Sequence, residues 1–320
     1  MRSDDTQRRV VEALRHAMGA TIRAGLDDPD VIEVMVNPDG RIWFDRIGQG
    51  REPTDQVLSP ADAESILRLL ADHAGVVVTD ERPLVSASLP LTGERFQGVF
   101  PPITTTPSFA IRKPARAVFR LDDYVRRGQL TAGEAATLRQ AISDRLNILI
   151  IGGTSSGKTT FANALLAEPA FSEDRVVIIE QTQELQCVAP DCLPMLTREI
   201  EPRVTTRDLV VASLRLRPDR IVIGEVRDGA ALEMIKAWNT GHPGGLGTLH
   251  ANSPIDALYR IEDLIGEVSE RIPYRAIASS INVIVEIKRT PEGRRVTSIM
   301  RVAGWQDGRY LFEEDQRIGN

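Results

Sequence analysis

The chain has 320 residues and a formal net charge of −6 at pH 7, with 42% hydrophobic and 26% charged residues. This length favours two domains, and the acidic balance argues against a protein whose main task is to coat nucleic acid, because such binding depends on clustered positive charge. No apolar stretch approaches the roughly 20 residues of a membrane-spanning helix, and residues 1–9 lack the apolar core of a signal peptide, so we expect a cytoplasmic chain. Two cysteines, Cys187 and Cys192, have no second pair, which favours reduced thiols over a zinc site.

Residues 1–114 are predicted to form a small α+β domain, of which residues 1–9 are polar and expected to be disordered. Ser59 and Pro60 are typical of a helix start, with Ser59 as the capping residue. Apolar spacing and turn residues predict the other elements, which are a helix over 10–24, hairpin strands over 31–36 and 41–45, a helix from Pro60 to about Gly75, and two or three short strands within 83–111.

Residues 115–129 mix charged and apolar residues without a clear period, and we expect them to be a linker. Thr131 and Glu134 form a T-x-x-E capping box, which predicts a helix that ends near Asp144. Beyond it strands and helices alternate, and the predicted strands are 148–151, 176–179, 221–224, 246–249 and 281–287, with a terminal hairpin over 296–302 and 309–312. This alternation predicts an α/β domain over 130–320, with a mostly parallel sheet covered by helices on both faces.

The apolar strand 148–151 runs into a loop with the G-x4-G-K-T pattern of phosphate-binding loops. Glycines allow the backbone to wrap close to a phosphate, and the loop N–H groups then point into one hollow at a helix N-terminus, which favours negative charge. Lys158 is predicted to contact the β- and γ-phosphates, and the Thr159 hydroxyl to bind Mg²⁺. The predicted nucleotide-binding residues of this loop are Gly152, Gly153, Thr154, Ser155, Ser156, Gly157, Lys158, Thr159 and Thr160.

Acidic residues follow two of the predicted strands, at the edge where parallel α/β sheets bind their ligands. Glu180 follows strand 176–179, and Glu180 and Glu184 are candidates for holding Mg²⁺, directly or through water. Glu225 follows strand 221–224 and is predicted to orient and polarise the attacking water. The alternative for each of these carboxylates is a solvated acid at a strand end.

Histidines and arginines supply further candidates. His250 follows strand 246–249, and we expect a hydrogen bond from its imidazole to the γ-phosphate; for His250 and for His242 the alternative is a packed structural histidine. Arginine stabilises charge on a transferring phosphoryl group. Six arginines are candidates, of which we expect two or three to contact nucleotide and the others to form surface ion pairs: Arg95, Arg112, Arg207, Arg215, Arg217 and Arg227.

Four ordered blocks together resemble the secretion-ATPase superfamily of type II and type IV secretion systems. They are the phosphate-binding loop over 152–160, the acidic block over 179–185, the block over 216–227 and the histidine block over 241–252. The Leu-Arg-Leu-Arg-Pro-Asp-Arg and Gly-His-Pro-Gly-Gly sequences resemble the type IV, conjugal-transfer branch, and the four-cysteine zinc module of many pilus-assembly members is absent from this sequence. Gln181 stands where the family usually has Asp, which leaves Glu180 or Glu184 as the magnesium-side carboxylate.

The resemblance implies a RecA-like ATPase domain preceded by the smaller α+β domain, and a hexameric ring with ATP and Mg²⁺ bound between the two domains. It also implies a motor that couples ATP hydrolysis to domain motion at the cytoplasmic face of a type IV secretion or conjugative DNA-transfer channel, with inner-membrane channel components as partners. From their positions we expect Lys158, Glu225, Glu180, Arg227 and His250 to act in catalysis, and Arg95 and Arg112 to contact the nucleotide.

Other functions remain open from the sequence. A type II secretion or pilus-assembly ATPase would carry the same four blocks. A small-molecule kinase would need an acceptor pocket and an arginine-rich lid, and no such lid is evident. A nucleotide-dependent scaffold would not need Glu225, and a DNA motor is disfavoured by the negative net charge.

Overall fold

The computed structural model describes residues 4–47, 49–90, 92–114, 118–198, 201–290 and 293–313, with side chains from residue 9 onward. The chain divides into two compact units, Met1–Arg116 and Ala117–Asn320. The site discussed below lies in the second unit.

The first unit is an antiparallel sheet with two helices. Its elements are α1 (Asp4–Asp27), β1 (Val31–Val36), β2 (Arg41–Arg46), β3 (Gly50–Val57), α2 (Pro60–Ala74), β4 (Leu84–Ser88), β5 (Arg95–Val99) and β6 (Ser108–Arg112). The strand order is β3-β2-β1-β6-β5-β4. Alternate residues of the strands, such as Val34 and Phe96, pack against Ile22 of α1 and Leu67 of α2, so one face of the sheet carries the core.

Several local predictions for this unit can be compared with the structure. The Ser59 side chain accepts a hydrogen bond from the Asp62 N–H, and α2 ends at Gly75 with a left-handed backbone, as expected. Residues 4–9, expected to be disordered, instead form the start of α1, while residues 1–3 lie outside the described residues. Polar residues occur both in disordered termini and in helices, so polarity alone did not distinguish the two states.

The second unit alternates strands and helices. Its elements are α3 (Leu121–Arg126), α4 (Ala132–Ser143), β7 (Ile148–Ile151), α5 (Lys158–Leu166), β8 (Val176–Glu180), β9 (Cys192–Leu196), α6 (Thr206–Ser213), β10 (Arg220–Val226), α7 (Ala230–Asn239), β11 (Leu246–Leu249), α8 (Pro254–Gly266), α9 (Tyr274–Ser280), β12 (Val283–Thr290), β13 (Gly293–Gln306) and β14 (Arg309–Phe312), with a short 3₁₀ turn over Pro169–Phe171. The capping box of Thr131 and Glu134 begins α4 as predicted.

The sheet of this unit has the order β14-β13-β12-β7-β11-β10-β8-β9. Neighbouring strands from β12 to β9 pair in parallel, whereas the pairs β12–β13 and β13–β14 are antiparallel. Ile148 and Ile150 of β7 face one apolar core, and Leu149 and Ile151 face a second core on the other side. The mostly parallel sheet with both faces covered is therefore confirmed, and it explains why the strands are continuous apolar runs.

Residues 115–129, which we predict to be a linker, contain the helix α3; residues 115–117 of this segment are not described. Leu121 and Tyr124 of α3 are buried in the core of the second unit, and the Tyr124 ring meets the Phe161 ring edge-on with centroids 5.1 Å apart. A helix of six residues is too short to show a clear apolar period, so this packing was not visible in the sequence.

Candidate nucleotide-binding site

The loop between β7 and α5 has the backbone shape that its glycines allow. Gly152 has φ 151° and Gly157 has φ 101°, both in a region that side chains disfavour. A Cβ on Gly152 would lie 2.2 Å from the Ile287 carbonyl oxygen, and one on Gly157 would lie 2.8 Å from Arg294 Cδ. Both positions therefore exclude a side chain, and the loop curls over the N-terminus of α5, which begins at Lys158.

Lys158 is buried within this loop, and its ammonium group has only neutral partners among the described residues. Its Nζ donates hydrogen bonds of 2.9 Å to the carbonyl oxygens of Gly152 and Gly153, and it lies 3.3 Å from His250 Nδ1. Burial lowers the pKa of Lys158 from its ordinary value. A buried cation without a carboxylate partner is suited to bind an anion at the helix N-terminus.

Side chains from the ends of three strands form one hydrogen-bonded chain with Lys158. His250 follows β11, and its Nε2 lies 3.0 Å from Glu225 Oε1, at the end of β10. The other oxygen of Glu225 pairs with Arg227, whose second nitrogen donates a 2.9 Å hydrogen bond to Gln181 Oε1, after β8. The carboxyl ends of adjacent parallel strands thus bring these groups together, as the sequence predicted for ligand-binding residues.

Burial and neighbouring charges determine which of these hydrogen-bonded side chains carry a proton. Burial lowers the pKa of His250, and the Lys158 charge lowers it further, against a smaller opposing effect of Glu225. The imidazole is therefore neutral at pH 7, and its contacts require Nε2–H to face Glu225 and unprotonated Nδ1 to face Lys158. Burial alone would raise the pKa of Glu225, but the hydrogen bond and charge of Arg227, with His250 and Lys158, outweigh it and hold this pKa below its usual range.

Glu180 is the buried acid of the neighbouring strand. Burial raises its pKa to about 7, although the backbone N–H groups of Glu184 and Leu185 each donate a 3.0 Å hydrogen bond to its Oε1. A Cβ on Gly224 would lie 2.8 Å from Glu180 Cγ. Glu180 therefore occupies the space beside Gly224, the residue that precedes Glu225 on β10.

Asn163 of α5 connects the phosphate-binding helix to the loop that holds Glu180. Its Nδ2 donates a 3.1 Å hydrogen bond to the Glu184 carbonyl, and its Oδ1 accepts a 2.9 Å bond from the Gln186 N–H. Asn163 is almost fully buried. Sequence reasoning missed it, since the only signal was a polar residue on the core face of an otherwise apolar helix.

Residues 18–302 match the family model described as type II/IV secretion system protein. The chain belongs to this family. It is 46% identical over 310 residues to the probable conjugal transfer protein TrbB of Sinorhizobium fredii (strain NBRC 101917 / NGR234), covering 96% of this chain and 94% of that protein. It is 30% identical over 322 residues to the type IV secretion system protein VirB11 of Bartonella quintana (strain Toulouse), covering 87% and 90%.

A solved structure of the Legionella pneumophila ATPase DotB shares the fold, with a TM-score of 0.60 and 16% identity over 92% of this chain and 80% of that chain. The predicted family, its type IV and conjugal-transfer branch, and the RecA-like fold class are confirmed. Among the residues that the structure describes, we find no helix with both the length and the apolar character that a bilayer crossing requires.

The remaining loop residues of this secretion-family chain fit a bound Mg-nucleotide. The Ser156 hydroxyl oxygen is buried without a hydrogen-bond partner, and Thr159 makes no side-chain hydrogen bond within the described ranges. No three histidine, cysteine or acidic side chains of the described residues converge as a metal site. The hydroxyls of Ser156 and Thr159 suit Mg²⁺, which binds through one or two protein oxygens, phosphate oxygens and water.

The other predicted residues lie in different surroundings. Arg207 forms an ion pair with Glu233, with 3.4 Å between Nη2 and Oε1. Arg215 and Arg217 precede β10 and His242 precedes β11, so all three lie at the edge of the sheet opposite Lys158. His242 Nδ1 is 3.0 Å from the Pro218 carbonyl oxygen, which supports the structural alternative for this histidine.

Arg95 and Arg112 are direct cross-strand partners in the first unit, on β5 and β6. Both are exposed, and Arg112 is also opposite Glu33 of β1. Like charges directly opposite one another destabilise a sheet, and Glu33 supplies an opposite charge on the other side of Arg112. Contact of either arginine with nucleotide stays a prediction.

Proposed function

We propose that this protein is the ATP-hydrolysing motor of a type IV secretion or conjugative DNA-transfer system. The observation that carries the proposal is the chain of contacts from Lys158 through His250 to Glu225, beside a phosphate-binding loop. Membership of the type II/IV secretion family and the 46% identity to a probable conjugal transfer protein support the conjugative system.

In the proposed mechanism the loop N–H groups and Lys158 hold the β- and γ-phosphates. Mg²⁺ when bound neutralises charge on the phosphates, and Thr159 would hold it, with Glu180 and Glu184 acting directly or through water. Glu225 is ionised at pH 7 and orients a water molecule, accepting its proton as the water oxygen bonds to the γ-phosphorus and the bond to ADP breaks. Arg227 stabilises the developing negative charge, and neutral His250 links Glu225 to Lys158.

We propose further that the working particle is a homohexamer at the cytoplasmic face of the inner membrane, held there by channel components. Arg95 and Arg112 contact the nucleotide phosphates, from the same chain or from a neighbouring one. Hydrolysis then drives motion of the domains. The paired arginines of β5 and β6 and the secretion-system relatives support this part of the proposal.

The function is tested in two assays of the full chain. Purified protein should release phosphate from Mg-ATP without any acceptor molecule, which separates a motor from a kinase. In cells that lack the chromosomal or plasmid copy, the wild-type chain should restore DNA transfer to recipients, and Glu225→Gln should not. Hydrolysis without restored transfer, in cells where the chain is expressed at normal levels, would rule out the conjugative system, and absence of hydrolysis would rule out the motor.

A further inference from the structure

The loop between β8 and β9, residues 181–191, connects the two strands without regular secondary structure of its own. It carries Glu184 and directly follows Glu180, the two acids that we propose to act on Mg²⁺. Leu185 and Ala189 of this loop are buried in the same apolar core as α5. Because the loop backbone cannot pair within a helix or a ladder, it must find other partners, and α5 supplies several of them.

Asn163 of α5 supplies two of these partners, and it is only 1% exposed. Its Nδ2 donates a 3.1 Å hydrogen bond to the Glu184 carbonyl, and its Oδ1 accepts a 2.9 Å bond from the Gln186 N–H. The side-chain amide therefore pairs with the backbone on both sides of Leu185, as a neighbouring β-strand would. This pairing fixes the loop more firmly than apolar contact alone, because hydrogen bonds are directional.

The same part of the loop is held by further bonds. Glu180 Oε1 accepts 3.0 Å hydrogen bonds from the N–H groups of Glu184 and Leu185. The Val188 N–H donates a 3.2 Å bond to the carbonyl of Leu166, the last residue of α5. The loop is thus attached to β8 through one acid and to α5 at two places, of which Asn163 is the one nearest to Glu184 in the chain.

α5 is also the helix whose N-terminus lies at the phosphate-binding loop, because it begins at Lys158. Asn163 follows roughly 7.5 Å further along the helix axis, and a helix is rigid over this length. The pKa of Arg227 is raised, first by its hydrogen bond to Glu225 and to a smaller extent by the charge of Glu184, so the Glu184 carboxylate lies near that pair. Asn163 therefore links the phosphate-binding helix to an acid beside Glu225 and Arg227.

We propose that Asn163 is a positioning residue that holds the acids of the β8–β9 loop at a fixed distance from the bound phosphates, an inference that rests on the proposed function. Asn163 acts through Glu180 and Glu184, because its own amide bonds to the loop backbone. Without these bonds the loop is attached only through Glu180 and Val188, its acids sample more positions, and the chain holds Mg²⁺ less tightly. The phosphate contacts of Lys158 and of the phosphate-binding loop do not involve the β8–β9 loop and remain.

The test uses two variants of the full chain, Asn163→Leu and Asn163→Ala; the smaller alanine keeps the comparison possible if the core rejects a leucine. Binding of a non-hydrolysable ATP analogue is measured across a range of Mg²⁺ concentrations and in EDTA. The Mg²⁺ concentration for half-maximal binding should rise about tenfold and kcat for ATP should fall about tenfold, while analogue affinity in EDTA stays within about twofold. Hydrogen exchange of the backbone amides of residues 184–186, in the nucleotide-free chain, should become about fivefold faster or more.

Asn147→Leu is the matched control, because Asn147 is also a buried asparagine whose amide joins two backbone groups. Its Nδ2 donates a 2.7 Å hydrogen bond to the Ser280 carbonyl, and its Oδ1 accepts a 2.8 Å bond from the Gly245 N–H. It precedes β7 and so lies at the edge of the sheet opposite the phosphate-binding loop. The control should lower the free energy of unfolding in urea as the Asn163 variants do, without changing the Mg²⁺ requirement or the exchange of residues 184–186.

The outcomes separate this role from the proposed function. A Mg²⁺ requirement equal to that of wild type in both Asn163 variants, or an equal rise in Asn147→Leu, would overturn the positioning role and leave the proposed function intact. Unchanged exchange of residues 184–186 in both Asn163 variants would overturn it as well. If the wild-type chain neither binds the analogue nor hydrolyses ATP, the proposed function fails, and the positioning role fails with it.

Discussion

Glu180 fills the space that a side chain on Gly224 would need, with its Cγ 2.8 Å from the position of that missing Cβ. The acid therefore reaches the end of β10 from the neighbouring strand β8, and a loop clamped by Asn163 holds it there. This contact explains why a glycine precedes Glu225, because a side chain at Gly224 would collide with Glu180.

Substitution of Gly224 tests this relationship. Gly224→Ala should displace Glu180, lower the free energy of unfolding by about 1–3 kcal/mol and reduce the rate of phosphate release. Urea denaturation and a steady-state phosphate assay measure the two effects. Gly133→Ala in α4 is the control, because no atom lies within 4 Å of its Cβ position, and it should not reduce either quantity. Unchanged stability and turnover in Gly224→Ala would show that Glu180 does not depend on this space.

The raised pKa of Glu180 predicts a pH-dependent stability. Its pKa of about 7 in the folded state exceeds the ordinary value of 4.5, so the folded protein binds this proton more tightly than the unfolded chain. The contribution of this group to the free energy of unfolding therefore falls as pH rises from about 4.5 to about 7, by something on the order of 1–3 kcal/mol. Glu180→Gln should be more stable relative to wild type at pH 8 than at pH 5. Chemical denaturation at both pH values measures this, and an equal difference at the two values would contradict it.

Glu225 should affect turnover much more than nucleotide binding. Glu225→Gln keeps the size of the side chain but removes the base, so the rate of phosphate release should fall about 10²- to 10⁴-fold while Mg-ATP affinity changes little. Glu267→Gln, at an exposed acid beyond α8, is a matched control that should retain wild-type turnover. Turnover of Glu225→Gln within a few-fold of wild type would remove this residue from the chemistry.

Assembly should raise activity if arginines from a neighbouring chain complete the site. Turnover per chain is then expected to increase with protein concentration as the particle mass rises from monomer to hexamer. Light scattering and phosphate release on the same samples measure both quantities. A turnover per chain that stays constant from monomer to ring would count against arginines acting between subunits.

The parts of this molecule that sequence could predict are those with a local signal. The apolar strands of the parallel sheet, the capping box of Thr131 and the loop around Lys158 each have a pattern within a few residues. β3 and β9 lack such a pattern, because the first is polar and mostly exposed and the second is a short edge strand that contains Pro194.

In the candidate site, too, sequence could predict only the residues that have a local signal. Glu225 and His250 could be predicted because both follow apolar strands whose ends meet at one edge. Asn163 could not, since its role depends on contacts with residues more than twenty positions away in the chain. The position of Arg215 and Arg217 at the opposite edge could also have been predicted, because both precede the predicted strand 221–224.

The central claim is that the loop around Lys158 binds and hydrolyses a nucleoside triphosphate. The most direct measurement is steady-state phosphate release from Mg-ATP by the purified full chain and by Lys158→Ala, at equal folded protein and without an acceptor. We predict hydrolysis by the wild-type chain and a loss of about 10²-fold or more in the variant, because a buried charge on the phosphates is removed. Equal rates for the two proteins, or no hydrolysis by the wild-type chain, would contradict the claim.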